Sequence, residues 1–153
     1  MDEHDLFEHQ TACGFYLRHN DGALALHMST SPEHLQLMRA EVFKAVTGLG
    51  IGEETADAAR LVASELVGNV VRLCGPWAPV VVQVARKGAR VQVKVHDPVP
   101  DTWPVRSASA PNDAEAEAGR GLWILDVLAP GWVVEESPVG KQISCTLPAL
   151  AAA

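Results

Sequence analysis

Glu65 and Asn69 stand four residues apart in Glu65-Leu66-Val67-Gly68-Asn69, inside an otherwise apolar helical run. Side chains at i and i+4 lie one above the other on the same helix face. A carboxylate and a carboxamide are thereby aimed at one point. Buried polar groups cost free energy unless they are partnered, so beside Val62, Leu66, Val70 and Leu73 the pair is either a solvated helix edge or part of a ligand site. Two more features punctuate the chain. Asp97 closes the alternation Val91, Val93, Val95 and precedes Pro98, a setting for a turn former or for a ligand acceptor. Gly119-Arg120-Gly121 stands ahead of an apolar helical stretch, either as a flexible loop end or as a backbone anion site.

The three features fit the chemistry of a magnesium nucleotide. Glycines at a helix start leave backbone N–H groups open to an anion, and phosphate is the usual guest. Asn69 offers a neutral oxygen to Mg²⁺, which is commonly held by few protein groups plus phosphates and water. Glu65 beside it suits a base toward a water or a substrate hydroxyl. A strand-end carboxylate such as Asp97 accepts hydrogen bonds from a purine amino group.

The remaining pattern supplies elements to carry these groups. Gly14–His19 and Ala23–Met28 bracket Asn20-Asp21-Gly22 as a hairpin. Ser31 and Pro32 read as N-cap and first residue of a helix striped by Leu35, Met38, Val42, Ala45 and Val46 and ended by Gly48 and Gly50. A second helix is expected from about Glu54 to Cys74, stopped by Gly75-Pro76. Val80–Ala85 and Val91–His96 form a second hairpin around Lys87-Gly88-Ala89. From Pro98 to Ala118, prolines and small or acidic residues predict a long loop, which suits a lid over a nucleotide. A short helix follows from Leu122 to Leu128, then a strand pair, Trp132–Glu136 and Gln142–Leu147. Residues 1–13 read as a flexible arm, 14–148 as one domain and 149–153 as a disordered tail. Trp77, Trp103, Trp123 and Trp132 read as core or lid packing and His96 as a strand-end residue. The fold class is α+β: a two-layer α/β sandwich with a mainly antiparallel mixed sheet and its helices on one face.

Composition removes several classes of function. The 153 residues suffice for one domain, and 48% hydrophobic with 20% charged residues is a globular balance. A net charge of −7 argues against broad binding to nucleic acid or to an anionic membrane. The acidic start Met1-Asp2-Glu3-His4-Asp5 is no signal peptide, and no apolar stretch reaches the roughly 18 residues of a membrane span. Three scattered cysteines, Cys13, Cys74 and Cys145, read as reduced thiols of a cytoplasmic protein. The histidines show no H-x-x-x-H spacing and hence no metal cage.

At the same residues the chain resembles the GHKL ATPase superfamily. Ser64-Glu65-Leu66-Val67-Gly68-Asn69-Val70-Val71-Arg72 looks like its N box, and Val93-Lys94-Val95-His96-Asp97-Pro98 is similar to its first glycine box. Gly119-Arg120-Gly121-Leu122-Trp123-Ile124-Leu125 resembles its second glycine box, and Gly140-Lys141-Gln142-Ile143 occupies the place of its last motif. Size and element order are most similar to the stand-alone anti-sigma-factor serine/threonine kinases. The resemblance implies a Bergerat-type ATP-binding fold with ATP and Mg²⁺ as cofactors. It implies Asn69 as the metal ligand and Glu65 as the catalytic base. Asp97 then reads adenine, and Gly119, Arg120, Gly121 and Leu122 complete the nucleotide-binding set. The implied partners are a sigma factor, held by a homodimer, and an antagonist protein phosphorylated on serine or threonine.

Two positions depart from the family pattern: Val99, where a glycine usually stands two residues after the aspartate, and Lys141, where a threonine is common after the glycine of the last motif. They support a second reading, a non-catalytic interaction module that binds a transcription regulator with weak or no nucleotide binding. A third is a domain that binds nucleotide without transferring phosphate.

Overall fold

The computed structural model describes residues 9–12, 14–20, 22–99 and 117–151. In chain order the elements are β1 (His9–Ala12), β2 (Phe15–Asn20), β3 (Ala23–Ser29), α1 (Pro32–Gly48), α2 (Glu53–Cys74), β4 (Pro79–Lys87), β5 (Arg90–Asp97), α3 (Glu117–Leu128), β6 (Val133–Ser137) and β7 (Gly140–Pro148). The strands form one seven-stranded sheet in the order β1-β2-β3-β4-β5-β7-β6, and each neighbouring pair is antiparallel. The helices pack on one face: α1 against β3 and β4, α2 against β5 and β7, and α3 against α2. This is the two-layer α+β sandwich expected from the pattern. No helix among the described residues is long and apolar enough to cross a membrane.

Strand alternation builds the layer between sheet and helices. Leu24 and Leu26 of β3, Val80, Val82 and Val84 of β4, and Val91, Val93 and Val95 of β5 are buried beneath Met38, Val42 and Val46 of α1 and Val62, Leu66 and Val70 of α2. Each such side chain contributes about 1.5–3 kcal/mol when fully buried. Ser31 caps α1 by accepting the backbone N–H of His34 at 3.4 Å, with Pro32 in the first turn. The end of α2 is tied to the sheet through Thr30. Its N–H donates to Ala78 O at 3.0 Å, its hydroxyl donates to Gly75 O at 2.7 Å, and the Ala78 N–H donates back to that hydroxyl at 3.1 Å.

Three features lie outside the sequence expectation. β1 adds an edge strand within the stretch read as an arm; its residues pair with β2 through the backbone and carry no alternation that would have announced them. α3 starts at Glu117, not at Leu122, because Glu117 and Ala118 favour a helix and an acidic residue suits its positive end. The tail is tied back at Ile51 and Ala151, a bridge pair, and Gly52 N donates to Leu150 O at 2.8 Å. The loop expected to form a lid lies outside the described residues except for Pro98, Val99, Glu117 and Ala118.

Candidate functional site

Register decides which end of the sandwich carries the polar groups. Ser29 pairs with Pro79 and Val81 with His96, so β5 reaches Asp97 at the end of the sheet where Thr30 holds Gly75. The last turns of α2, with Asn69 and Arg72, therefore share that end with Asp97. Asp97 lies opposite Lys141, the second residue of β7. Both continue the inward faces of their strands, after Val91, Val93 and Val95 on one and ahead of Ile143, Cys145 and Leu147 on the other, so both point into the helix layer. His96 points to the open face, where its Nε2 is 2.7 Å from Ser137 Oγ.

Asp97 is enclosed. Its Oδ1 accepts the Val99 N–H at 2.9 Å and the Lys141 ammonium at 3.0 Å. The same ammonium donates to Val99 O at 3.0 Å. The two side chains are 2% and 3% exposed, so this is a buried ion pair tied into the chain that leaves the sheet. Gly140 makes the approach possible. Its φ is +148°, and a Cβ there would stand 1.8 Å from Asp97 O and 2.8 Å from Pro98 Cα. The Asx-type bond to Val99 is the turn-forming role foreseen for Asp97; the ammonium was not foreseen. Lys141 stood out in the sequence only as an unusual residue in its motif. The missing signal was register, because an opposite-charge pair across two strands is legible only once the strands are aligned.

Glu65 and Asn69 are half-buried on one face of α2, between the core stripe and solvent. No hydrogen bond or ion pair joins Glu65 to another described residue. Asn69 Oδ1 accepts from Nη2 of Arg72, three residues on and exposed. The i, i+3 spacing was the available sign of this contact. Ser64, next to Glu65, donates to Arg60 O at 2.7 Å and accepts Arg39 Nε at 3.0 Å, which fixes this face of α2 against α1.

Gly119, Arg120 and Gly121 lie within α3, from its third residue, instead of ahead of the helix. Gly119 falls in the first turn, whose N–H groups have no intrahelical acceptor; Gly121 and Leu122 belong to the next turn. Each glycine costs a helix about 1 kcal/mol relative to alanine. Because α3 packs on α2, and α2 packs on β5, the elements carrying all the expected site residues are contiguous.

Two tryptophans correct the packing expectation. Trp77 is 78% and Trp123 52% exposed, because each lies outside the buried stripe of its region. Trp132 is half-buried and donates to Asp126 Oδ1 at 2.8 Å. Trp103 lies outside the described residues.

The two ends of the site differ in their fit to Mg-ATP. At the α2 end a carboxylate with no partner among the described residues stands beside a carboxamide oxygen that accepts from the exposed Arg72, and this set suits a phosphate-bound Mg²⁺. At the β5 end Oδ1 of Asp97, the residue that the resemblance implies for adenine, already holds an ammonium. No group of three or more His, Cys, Asp or Glu able to hold a metal by itself occurs among the described residues.

A profile of the histidine kinase-like ATPase domain matches residues 28–147, most of the chain. No curated protein matches it. The chain belongs to the histidine kinase-like ATPase domain family, and such a domain implies ATP binding, usually with Mg²⁺.

Proposed function

Starting from that membership, we propose that the protein is an ATP-binding regulator of the anti-sigma-factor type. In this reading a homodimer sequesters a sigma factor and uses ATP to phosphorylate a serine or threonine of an antagonist protein. The observation that carries it is the α2 face: Glu65 without a described partner, one turn from Asn69, on a helix packed against both β5 and α3. Asn69 would hold Mg²⁺, whose charge would offset that of the phosphates. Glu65 would accept the proton of the attacking hydroxyl. Phosphoryl transfer depends mainly on positioning and charge stabilisation, so a small set of side chains suffices.

Titration calorimetry of the full chain with ATP and Mg²⁺ tests the nucleotide part. Binding that disappears in Asn69→Ala supports it, and no heat at millimolar nucleotide ends it. Phosphate transfer is tested with radiolabelled ATP and a candidate antagonist protein; wild type should label it and Glu65→Gln should not.

A specific observation favours a second reading. The Lys141 ammonium on Asp97, together with the branched Val99 in place of a glycine, fits a non-catalytic module that sequesters a regulator with weak nucleotide binding. It predicts that a partner co-purifies and stays bound at any nucleotide concentration.

A further inference from the structure

The sheet face opposite the helices carries two adjoining grooves. One, of about 470 Å³, is lined by Tyr16, His27, Pro79 and Val81 of the strands together with Trp77 and Val139. The other, of about 270 Å³, sets Ala23, Ala25 and Ala85 among Arg18, Lys87 and Lys94. We propose that this face binds a partner protein through an extended segment that places an apolar residue beside a run of acidic ones. The surface lies across the sheet from α2 and needs no nucleotide.

Register joins the two grooves. Tyr16, His27, Val81 and His96 stand side by side across β2 to β5, and Arg18, Ala25, Gln83 and Lys94 form the next row on the same face. Rows on one face are two residues apart, about 6.7 Å along a strand. An extended segment lying along β4 therefore passes from the apolar groove to the cations within two of its own residues. Trp77 is 78% and Val139 69% exposed, apolar surface that gains from being covered. Trp77, Tyr16 and Arg18 are also of the residue types that dominate the energies of protein interfaces. Charge supplies the rest of the occupant's chemistry. Arg18, Lys94, and the cross-strand pair Lys87 and Arg90 make no hydrogen bond or ion pair with a described residue. The described carboxylates lie on the helices, at the inward Asp97 and on β6, where Glu135 alone shares this face. A basic strip on a chain of net charge −7 complements an acidic partner and not the protein's own average surface. Arg18 and Lys94 are three strands apart, about 14 Å, so they flank a segment lying over β3 and β4 instead of closing on one phosphate.

The experiment adds the full-length chain to a fluorescein-labelled octapeptide and follows fluorescence anisotropy, in about 0.1 M salt, where charges act over about 10 Å. The peptide carries one leucine followed by glutamates at every second position, with serines between; its control has glutamines for the glutamates. Exposed ion pairs are each worth up to about fivefold in affinity. Wild type should therefore bind the glutamate peptide about tenfold more tightly than the control, and Arg18→Glu combined with Lys94→Glu should remove that preference. Trp77→Ala should weaken the binding by about fivefold or more. No binding up to about 0.5 mM protein, equal binding of the two peptides, or an affinity that neither the charge reversal nor Trp77→Ala changes overturns the proposal. An oligothymidylate that binds as tightly as the peptide also overturns it, because the face would then be a general polyanion surface. So does a dimer in sedimentation that the charge reversal dissociates, which would give the face to a second copy of the chain. If the charge-reversed protein does not fold, by circular dichroism, the two peptides on wild type and on Trp77→Ala decide.

Discussion

Removing the Lys141 charge without removing its bulk should be among the costliest single changes in this protein. Lys141→Met keeps an unbranched chain of similar length but leaves the Asp97 carboxylate, 2% exposed, with only the Val99 N–H as its bonded partner. Breaking a buried ion pair by deleting one member costs about 3–5 kcal/mol, because the survivor is an uncompensated charge. A domain of this size has about 5–15 kcal/mol in total, so the variant should fold but lose a large share of its stability. With a urea dependence of about 2 kcal/mol per molar, the unfolding midpoint should fall by about 2 M in a fluorescence or circular dichroism titration. The second half of the test is Asp97→Asn in the same background. The carboxamide introduced by Asp97→Asn would keep an oxygen for the Val99 N–H and carry no charge, so the double variant should recover about 1–3 kcal/mol relative to Lys141→Met alone. Measured with the Asp97→Asn single variant as well, these values close a double-mutant cycle, whose coupling is that recovery plus the cost of Asp97→Asn alone. A midpoint shift below about 0.5 M, or two single effects that simply add, would refute the buried pair.

Other changes test the surroundings of that pair. Gly140→Ala places a Cβ 1.8 Å from Asp97 O at a φ of +148°; it should cost more than about 3 kcal/mol through strain and displaced backbone, measured by urea titration, and a near-neutral result would contradict the close approach of β5 and β7. Burial pushes the Cys145 thiol from 9.0 up to about 12. The unfolded chain then loses this proton before the folded one does, so stability from this group is intact below pH 9 and declines by about 1.4 kcal/mol per pH unit up to pH 12; Cys145→Ala should flatten that part of the stability profile. At neutral pH a thiol reagent should modify the exposed Cys74 and spare the buried Cys145 until the protein is denatured, as peptide mapping would show. Ser31→Ala removes the cap of α1 and should lower stability by about 1 kcal/mol in the same urea assay.

Much of the framework was legible because it repeats with the period of its element. Val91, Val93 and Val95 announce a strand with one buried face, and Val62, Leu66 and Val70 announce a helix stripe; both are buried as that reading requires. Elements without such a period were missed or shortened. The β1 residues His9-Gln10-Thr11-Ala12 pair by backbone alone. At α3 the glycines masked a helix that Glu117 and Ala118 had already begun. The candidate site was legible as residue types and not as contacts. Glu65 with Asn69 follows from helix geometry, and the α2 spacing could also have suggested Arg72 as a partner. The Asp97–Lys141 contact crosses 44 residues and depends on which strand lies beside β5 and in what register, neither of which a local pattern contains.

Both acceptors of the candidate site are already bonded to cations of their own chain, and the difference in burial decides which bond a ligand can replace. Arg72 is exposed, and its hydrogen bond to Asn69 competes with water at every moment; such surface contacts are worth about 0–1 kcal/mol. A guanidinium displaced from Asn69 returns to solvent at little cost. Lys141 is buried against Asp97, and its removal costs about 3–5 kcal/mol. Displacing Arg72 from Asn69 therefore costs little, whereas displacing Lys141 from Asp97 costs several times more.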